Sequence, residues 1–563
     1  MLMDLYTPQG ENVPDVAWQV YPRPQMKRDS YLNLNGMWEF ACNYHTSHER
    51  IRVPFCPESK LSAIGEHFPE GSTLIYRRMF TLPDGFRKER VILHIGAADQ
   101  VTKVFFNKKE VCRHEGGYET FSCDITDVLA EENELVITCV DNLYDQSFPY
   151  GKQVLPEKRG GMWYTPVSGI WQTVWLESVP ENYIEKLHIN NRGYSVEISI
   201  EPVLDGTVTV AELGSFALVD GCVTITPEDP HLWSPENPYL YGFTVETGED
   251  RVESYFAIRS LEIKKIGTCQ RLCLNGKPYF FHGLLDQGYW PDGLFTPAAP
   301  ECYAEDILMM KKLGFNTLRK HIKVEPEQFY YDCDRLGMIV FQDMVNNGDY
   351  SFFRDTALPT VGLQKRNDKK LHRDKKSRKV FRDGMAATVR QLKNHPCICY
   401  WTIFNEGWGQ FDSDAVYEEM KMLDDSRFID ATSGWFRRKK SEVDSLHIYF
   451  GSWNKLKSGE KPLVLSEFGG YCYGVSGHLF NPEKAYGYKA CKSVEELNRD
   501  LKMLYEEKII PAVEKGLCAA VYTQVSDVED EINGLLTYDR KVCKADEKML
   551  CGIAERLQMA IER

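Results

Sequence analysis

After residue 261 the sequence alternates between short apolar segments and longer stretches with helical periodicity. This alternation is typical of βα units, in which successive strands lie parallel in one sheet. Eight strands in roughly 300 residues match the usual size of a TIM barrel. The eight segments are YFFHGLLD (279–286), FNTLRKH (315–321), GMIVFQDM (337–344), CICYWTIFNE (397–406), FIDATSGW (428–435), SLHIYF (445–450), PLVLSEFG (462–469) and CAAVYTQVSD (518–527).

The chain before this point has a different rhythm, with short alternating segments and turns but little helical periodicity. Segments such as TLIYRRMF (73–80) and NELVITCVDN (133–142) predict an all-β sandwich that ends near residue 179. A second β-rich block follows and carries YSVEISIEP (194–202) and LYGFTVET (240–247). Its length suits a small immunoglobulin-like sandwich.

Composition and charge restrict the classes of function. The formal net charge of −15 argues against binding to nucleic acid or to an anionic membrane, because both need basic surface. The first residues lack the pattern of a signal peptide, and no apolar run approaches the ~20 residues needed to cross a bilayer. The cysteines are scattered without paired spacing, so we expect reduced thiols, no structural zinc and a cytoplasmic location.

Polar side chains stand at the carboxyl ends of the predicted barrel strands, where the active sites of TIM barrels lie. They are Asp286, Arg319, His321, Asn405, Glu406, Trp435, His447, Tyr449, Glu467, Gln524 and Asp527.

Two of these residues, Glu406 and Glu467, each follow a buried apolar run. An ionised carboxylate in such a place needs a role or a counter-charge, because burying it alone is costly. Strands four and seven lie on roughly opposite sides of an eight-stranded ring, so the two carboxyl groups can face each other across its mouth. Taken singly, each glutamate is more simply a solvated loop residue. Together they suggest the carboxyl pair of a retaining glycosidase, which needs no metal.

Several motifs extend this interpretation over nearly the whole chain. WTIFNEGWG and PLVLSEFGG resemble the acid/base and nucleophile motifs of glycoside hydrolase family 2, which contains β-galactosidases, β-glucuronidases and β-mannosidases. RPQMKRDSYLNLNGMWEF and VSGIWQTVWLE resemble the two ends of its jelly-roll sugar-binding domain. The resemblance implies a jelly-roll domain at 1–179, an immunoglobulin-like domain at 180–264 and a catalytic TIM barrel at 265–563.

The resemblance also implies roles for individual residues. Glu406 would be the acid/base and Glu467 the nucleophile that forms a covalent glycosyl-enzyme. Asn405 would bind the sugar 2-hydroxyl, Tyr449 would orient the nucleophile, and Arg319 would support it electrostatically. No cofactor is implied, and the implied partner is a carbohydrate or glycoside.

The sugar itself stays open. The Asn-x-Lys pair of β-glucuronidases is absent from SDVEDEINGLLTYDRK, and the Arg-His-Glu of β-galactosidases is absent after strand one. We therefore expect a different polar set at the sugar subsite, with Asp286 and Gln287 beside Tyr289 and Trp290, although these aromatic residues also suit a packed barrel rim. Further candidates, some of which equally suit a packed core, are Trp408, Trp435, His447 and Gln524.

These expectations lead to a retaining exo-β-glycosidase with β-galactosidase-like specificity. β-Galacturonidase, β-glucuronidase, β-mannosidase and arabinosidase activities are alternatives, as is a non-catalytic carbohydrate-binding protein on the same scaffold. A homo-oligomer is possible. The basic segment at 364–384 is best explained as a solvated face, and the alternatives are a border of the active-site mouth that attracts an anionic substrate or a subunit contact.

Overall fold

The structure is a computed structural model that describes residues 2–43, 49–360, 363, 367–450, 453, 456 and 459–563. Its N-terminal part is a β-sandwich of two antiparallel sheets. One sheet contains, in spatial order, Tyr31–Asn33, Val174–Val179, Arg90–Ile95 and Phe121–Asp124. The other contains Glu49–Val53, Gly36–Cys42, Thr73–Phe80, Asn133–Val140, Val101–Phe106 and Lys109–Glu115. A short pair, Ala98–Asp99 and Gly169–Ile170, lies beside them.

Alternation explains why these segments form a two-layered sandwich. Thr73–Phe80 and Asn133–Val140 pair along their whole lengths, and every second side chain of Asn133–Val140 is buried. The buried sides of the two sheets share one core, in which Trp38 and Phe40 of one sheet join Leu93 and Leu176 of the other. A period of two therefore places the apolar side chains between the layers.

A second, smaller sandwich follows. Its three-stranded sheet contains Lys186–Arg192, Ser195–Glu201 and Cys222–Ile225, and its four-stranded sheet contains Gly214–Leu218, Gly206–Val210, Tyr241–Thr247 and Asp250–Phe256. Ile198 and Val245 from the two sheets meet in a separate core. A three-stranded antiparallel sheet, Leu261–Ile266, Cys269–Leu274 and Lys277–Pro278, leads into the C-terminal part.

The C-terminal part is the predicted eight-stranded parallel barrel. Its strands are β1 (Phe281–Asp286), β2 (Thr317–Lys320), β3 (Ile339–Asp343), β4 (Ile398–Asn405), β5 (Phe428–Ser433), β6 (Asp444–Ile448), β7 (Leu463–Gly469) and β8 (Leu517–Thr523). The hydrogen-bonded order is β5-β4-β3-β2-β1-β8-β7-β6. The ring is nearly closed, because β5 and β6 meet through side chains such as Ser445, which donates from Oγ to Thr432 O at 3.3 Å.

Helices surround the barrel. The longer ones are Glu301–Lys312, Glu327–Leu336, Lys375–Leu392, Ser413–Leu423, Val494–Leu504 and Glu547–Ile561. Shorter helical pieces are Phe352–Ala357, Leu358–Thr360, Tyr505–Ile509 and Ile510–Val513. A small strand pair, Tyr471–Cys472 and Lys489–Ala490, follows β7.

The predicted fold class is confirmed, and each of the eight predicted barrel segments overlaps one observed strand. The exact domain boundaries stay a prediction. One expectation needs correction: Cys112 and Cys123, on strands that end near each other, form a disulfide, whereas the other cysteines are free thiols. Within the described part of the chain, no helix is long and apolar enough to cross a membrane.

The N-terminal sandwich packs directly on the barrel. Trp171 and Tyr164 of the sandwich belong to the same continuous core as Phe295 and Leu284 of the barrel. Backbone hydrogen bonds reach the loops after the barrel strands, since Tyr150 N donates to Asn346 O at 3.1 Å. The sandwich therefore supplies a wall to the carboxyl-terminal mouth of the barrel.

Candidate active site

The mouth of the barrel brings together the two glutamates that the sequence singled out. Glu406 follows β4 and Glu467 lies near the end of β7. Three atoms lie within 4.8 Å of one another: a carboxylate oxygen of Glu406, a carboxylate oxygen of Glu467 and a ring nitrogen of His447. All three side chains are buried. Strands that are distant in sequence thus deliver a close pair of carboxyl groups.

Glu467 is held at both oxygens. Arg319 donates from Nη1 to Oε1 at 3.0 Å, and Tyr449 donates its hydroxyl to Oε2 at 2.6 Å. Burial by itself would raise the pKa of Glu467, but the charges of His447, Arg319 and His321, with the Tyr449 hydrogen bond, lower it to about 2. Glu467 is therefore an ionised carboxylate over the whole physiological pH range.

Glu406 is presented by an unusual backbone conformation. Its φ of 49° lies in the left-handed region, where residues other than glycine are uncommon, and Gly407 continues the turn at φ 77°. Such local strain concentrates at functional sites. The turn directs the side chain to His447, whose Nδ1 is 2.8 Å from Glu406 Oε1. Gly434 makes room for His447, because a Cβ there would lie 2.6 Å from its ring.

His447 is fixed by a chain of hydroxyl groups at the junction of β5 and β6. Its Nε2 is 3.1 Å from Ser433 Oγ, and Ser433 donates to Ser466 Oγ at 2.9 Å. Ser466 in turn donates to the Leu446 carbonyl at 3.3 Å. Since each hydroxyl has one proton and Ser433 uses its own toward Ser466, Ser433 Oγ accepts from Nε2–H of His447.

Arg319 connects several strands below the pair. Its side chain is 1% exposed and donates to Asp343 Oδ1 at 3.0 Å, to Asn405 Oδ1 at 2.8 Å and to the Ser466 carbonyl at 3.1 Å, in addition to Glu467. These carboxylates raise its pKa further, although burial opposes the charged form.

Tyr449 is itself braced. Its hydroxyl is 2.8 Å from Thr523 Oγ1, and its ring stacks on Tyr488 with centroids 3.7 Å apart and planes at 9°. Tyr488 comes from the segment after β7, and no sequence motif marked it. The stacking holds the tyrosine ring in one plane beside the carboxylate.

The predicted sugar-binding residues at the ends of β1 and β8 form hydrogen bonds to other groups of the protein. Asp286 accepts from Lys320 Nζ at 2.6 Å and from Gly288 N at 2.9 Å. Gln287 donates to Gln524 Oε1 at 2.8 Å, and Gln524 donates to Asn533 Oδ1 at 2.8 Å. These three residues form the mouth's supporting network on the β1 and β8 side, and their contact with a sugar stays a prediction.

The two predicted stacking tryptophans occupy different places. Trp435 is half-buried, and its ring centroid is 5.8 Å from that of His447. Trp408 is buried and stacks on Trp163 of the N-terminal sandwich at 5.2 Å, with Tyr350 against its edge at 5.6 Å. Tyr289 and Trp290 are buried as well and pack on other aromatic rings, as expected of a barrel rim.

The N-terminal sandwich contributes residues that sequence analysis missed. Lys152, Trp163 and Tyr164 lie on one segment between its last long strands, and Tyr164 donates its hydroxyl to Glu531 of the loop after β8. Arg159 pairs with Glu529 at 3.2 Å and with Asp530 at 3.3 Å. The only sequence signal was an aromatic and basic composition, because nothing in a single sequence links this segment to residues nearly 400 positions later.

The basic segment at 364–384 is described from residue 367 onward, and residues 364–366 lie outside the described part. Lys376, in the helix Lys375–Leu392, pairs with Asp145 at 3.0 Å and lies 4.6 Å from the Phe148 ring. Asn347 Nδ2 donates to the Ser377 carbonyl at 2.8 Å. The segment thus packs beside the sandwich residues that precede Lys152, while most of its lysines are exposed.

A barrel with a buried carboxyl pair at its mouth, preceded by two β-sandwiches, defines a class of carbohydrate-active enzymes. Three family models match the chain in this order: the family 2 glycosyl hydrolase sugar-binding domain at residues 63–180, the glycosyl hydrolases family 2 model at 182–259, and the family 2 TIM barrel domain at 265–549. The chain belongs to glycosyl hydrolase family 2 and is a glycoside hydrolase.

Individual relatives are distant. The chain is 24% identical over 439 residues to a β-galactosidase of Thermoanaerobacter pseudethanolicus, covering 71% of this chain and 54% of the relative. It is 24% identical over 545 residues to human β-glucuronidase, covering 80% of this chain and 79% of the relative. The solved β-D-glucuronidase of Dictyoglomus thermophilum superposes with a TM-score of 0.72 at 18% identity, covering 95% of this chain and 98% of that one. The chain spans about half the length of the β-galactosidase.

Proposed function

We propose that this protein is a retaining exo-β-glycosidase that removes a terminal β-linked sugar through a covalent glycosyl-enzyme. The observation that carries the proposal is the separation of the two carboxyl groups, whose nearest oxygens lie within 4.8 Å. Retaining enzymes place their carboxyl groups ~5 to 5.5 Å apart, whereas inverting enzymes keep ~6.5 to 9.5 Å to admit a water molecule. The close pair supports direct attack by one carboxylate.

Glu467 acts as the nucleophile in this proposal. A carboxylate nucleophile must be ionised. Burial raises the pKa of Glu467, but His447 and Arg319 lower it by more, and the lowered pKa supports the ionised state. Tyr449 holds Oε2, so attack by a carboxylate oxygen occurs from a fixed position. The C1–O bond to the leaving group breaks as the bond between C1 and Glu467 forms.

Glu406 acts as the acid and then as the base. As the acid, Glu406 carries a proton on a carboxyl group that the contact with His447 Nδ1, at 2.8 Å, holds in place. Glu406 gives that proton to the leaving glycosidic oxygen. In the second step its carboxylate takes a proton from water, whose oxygen attacks C1 and releases Glu467.

Asn405 is placed to recognise the sugar beside the reacting carbon. Its Oδ1 accepts from Arg319, which leaves its Nδ2 as a donor for the 2-hydroxyl. Such a contact strengthens in the transition state and contributes to the rate as well as to binding. The wall formed by Trp163 and Tyr164 supports action on chain ends, because it covers one side of the mouth.

The sugar is the finer part of the proposal. β-Galactosidase-like specificity is the expectation from the sequence, and the β-galactosidase relative supports it. Hexuronides are the second candidate, supported by the β-glucuronidase relatives and by the cationic Lys152 at the mouth. β-Mannosides and arabinosides are the remaining alternatives.

The carboxyl pair is tested by chemical rescue with a panel of nitrophenyl glycosides that includes uronides and both anomers. Glu467→Ala should abolish turnover, and added azide should restore it with an α-glycosyl azide as product. Glu406→Ala with azide should give the β-glycosyl azide, because azide then attacks the glycosyl-enzyme from the opposite face. Asp444→Ala, at the amino end of β6, is the control and should retain activity. Robust turnover by Glu467→Ala without azide would overturn the assignment.

Two further proposals concern the setting of the enzyme. A cytoplasmic location agrees with the free thiols of the remaining cysteines. A homo-oligomer is proposed for the full chain. Fractionation of the source cells and sedimentation of the purified protein test these two points.

A further inference from the structure

Lys152 lies in the segment of the N-terminal sandwich that covers the barrel mouth. Tyr150 anchors this segment by donating its hydroxyl to the Gly348 carbonyl at 2.8 Å. Gly151 fits closely against the loop after β2, since a Cβ there would lie 2.9 Å from the Ile322 carbonyl oxygen. The backbone of Lys152 accepts from Tyr164 N at 3.1 Å. The lysine is therefore held in place over the mouth.

The ammonium group of Lys152 lacks a counter-charge. Only 8% of the residue is exposed, and its Nζ lies 5.6 Å from the Tyr164 ring and 5.8 Å from the Trp408 ring. Among the described residues, no carboxylate lies within 4.0 Å of Nζ and none accepts a hydrogen bond from it. A buried cation without a partner is costly, so a site that retains one has a use for its charge.

The neighbouring acids do not supply that counter-charge, because each is bound elsewhere. Glu529 and Asp530 pair with Arg159. Glu531 accepts from the Tyr164 hydroxyl at one oxygen and from Asn533 Nδ2, at 2.9 Å, at the other. The acidic loop after β8 is thus satisfied within the protein, and Lys152 remains uncompensated.

Two more buried donors beside Lys152 also lack acceptors within the part of the chain that the structure describes. They are the indole Nε1 of Trp408 and the hydroxyl of Tyr289, both on residues at most 3% exposed. Tyr289 packs against the Tyr164 ring at 4.9 Å. Trp408 follows Glu406 by two residues, so its indole lies on the same loop as one of the two carboxyl groups.

We propose that Lys152 is a specificity-determining residue that binds the carboxylate of an acidic terminal sugar, so that the preferred substrates are β-hexuronides. The inference rests on the proposed function, and it assigns the recognition of the acid to the N-terminal sandwich rather than to the loop after β8. The unpaired ammonium supplies the charge, and Trp408 Nε1 supplies a second donor to the same group.

The test compares substrates that differ only in oxidation at C6: nitrophenyl β-galactoside with β-galacturonide, and β-glucoside with β-glucuronide. Wild-type enzyme should prefer the uronides in kcat/KM. Lys152→Met should lower kcat/KM for the uronides about 10- to 100-fold, the effect of losing one charge-assisted hydrogen bond, and leave the neutral glycosides within about twofold. Lys152→Arg, which keeps the charge, should retain most of the preference.

Lys158→Met is the matched control, since it removes an exposed lysine from the same segment and should change neither class of substrate. Equal losses for neutral and acidic sugars on Lys152→Met, or a wild-type preference for neutral sugars, would overturn the proposal. A further substrate is a neutral sugar with a carboxyphenyl leaving group. If Lys152→Met lowers kcat/KM for that substrate alone, the lysine binds the leaving group, and the assignment to the sugar is overturned. The proposed function is tested separately. If the wild-type enzyme turns over any β-glycoside and Glu467→Ala abolishes that turnover, the proposed function stands whatever the Lys152 variants show.

Discussion

Tyr449, which directly follows β6, donates its hydroxyl to Oε2 of Glu467 on β7 at 2.6 Å. The contact joins two neighbouring strands at the barrel mouth, and stacking on Tyr488 fixes the phenol ring. A carboxylate held this way keeps one orientation.

Tyr449→Phe removes this donor and keeps the ring. We expect kcat to fall about 10- to 100-fold, because one hydrogen bond to a charged group contributes ~1.5 to 3 kcal/mol. The measurement is steady-state kinetics with an activated nitrophenyl glycoside. Tyr331→Phe, on the helix Glu327–Leu336 away from the mouth, is the control. Unchanged kcat in Tyr449→Phe would show that the tyrosine does not support Glu467.

The lowered pKa of Glu467 predicts the acid side of the pH profile. Because this pKa is about 2, below the ordinary value of 4.5, the carboxylate stays ionised as the pH falls through the range where a free glutamate is protonated. The stability contributed by its ion pair is complete above the ordinary value of 4.5 and is lost progressively as the pH falls from there to about 2. We expect no acid limb in kcat/KM near pH 4.5.

Arg319→Met supplies the complementary measurement. Without the guanidinium, Glu467 loses one of the charges that lower its pKa, so the acid limb should move to higher pH. Profiles of kcat/KM for both proteins, limited to the pH range in which circular dichroism shows them folded, give the comparison. An acid limb at the same pH in both would contradict the electrostatic role of Arg319.

A buried ion network joins the two sandwiches. Arg28 donates from Nη1 to Glu177 at 2.9 Å in the first sandwich, and from Nη2 to Asp250 at 2.8 Å in the second. Arg28→Met leaves two buried carboxylates short of a partner, which costs ~3 to 5 kcal/mol and lowers Tm. Thermal denaturation measures it. Arg77→Met, which breaks ion pairs with Glu39 and Glu134 at the surface, should change Tm little.

The basic segment offers a test of long-range attraction. Reversing the charges of Lys369, Lys370, Lys375 and Lys376 should lower kcat/KM for an anionic substrate at low salt, because the segment packs beside the sandwich residues that lead to Lys152. The loss should fade near 0.1 M salt, where the Debye length is about 10 Å. Neutral glycosides are the control substrates. Equal rates at every salt concentration would leave the segment as ordinary surface.

Much of the fold was readable from the sequence. The barrel strands were located because buried parallel strands form near-continuous apolar runs between helical segments. The sandwich strands were located because one buried face requires a period of two. Glu406 and Glu467 were identifiable since a charged residue that ends such a run has no place in a core.

Other features have no local signature. The Cys112–Cys123 disulfide was not expected, because spacing alone does not show which strands lie side by side. Asp286, Gln287 and Gln524 were placed at the sugar subsite from their strand ends, whereas the structure shows their polar atoms bound to other protein groups. Strand position indicates which end of the barrel a side chain occupies but not which neighbour it meets.

The sequence by itself therefore determined the two β-rich parts, the βα-rich part and the identity of the two candidate carboxyl groups. It could do so because periodicity and the cost of burying charge are local properties of the chain. Only the tertiary structure decided how those groups are tuned. Arg319, Tyr449 and His447 reach the pair from other strands, and Lys152 reaches the mouth from another sandwich. Electrostatic interactions depend on distance in space, and packing of the whole chain sets that distance.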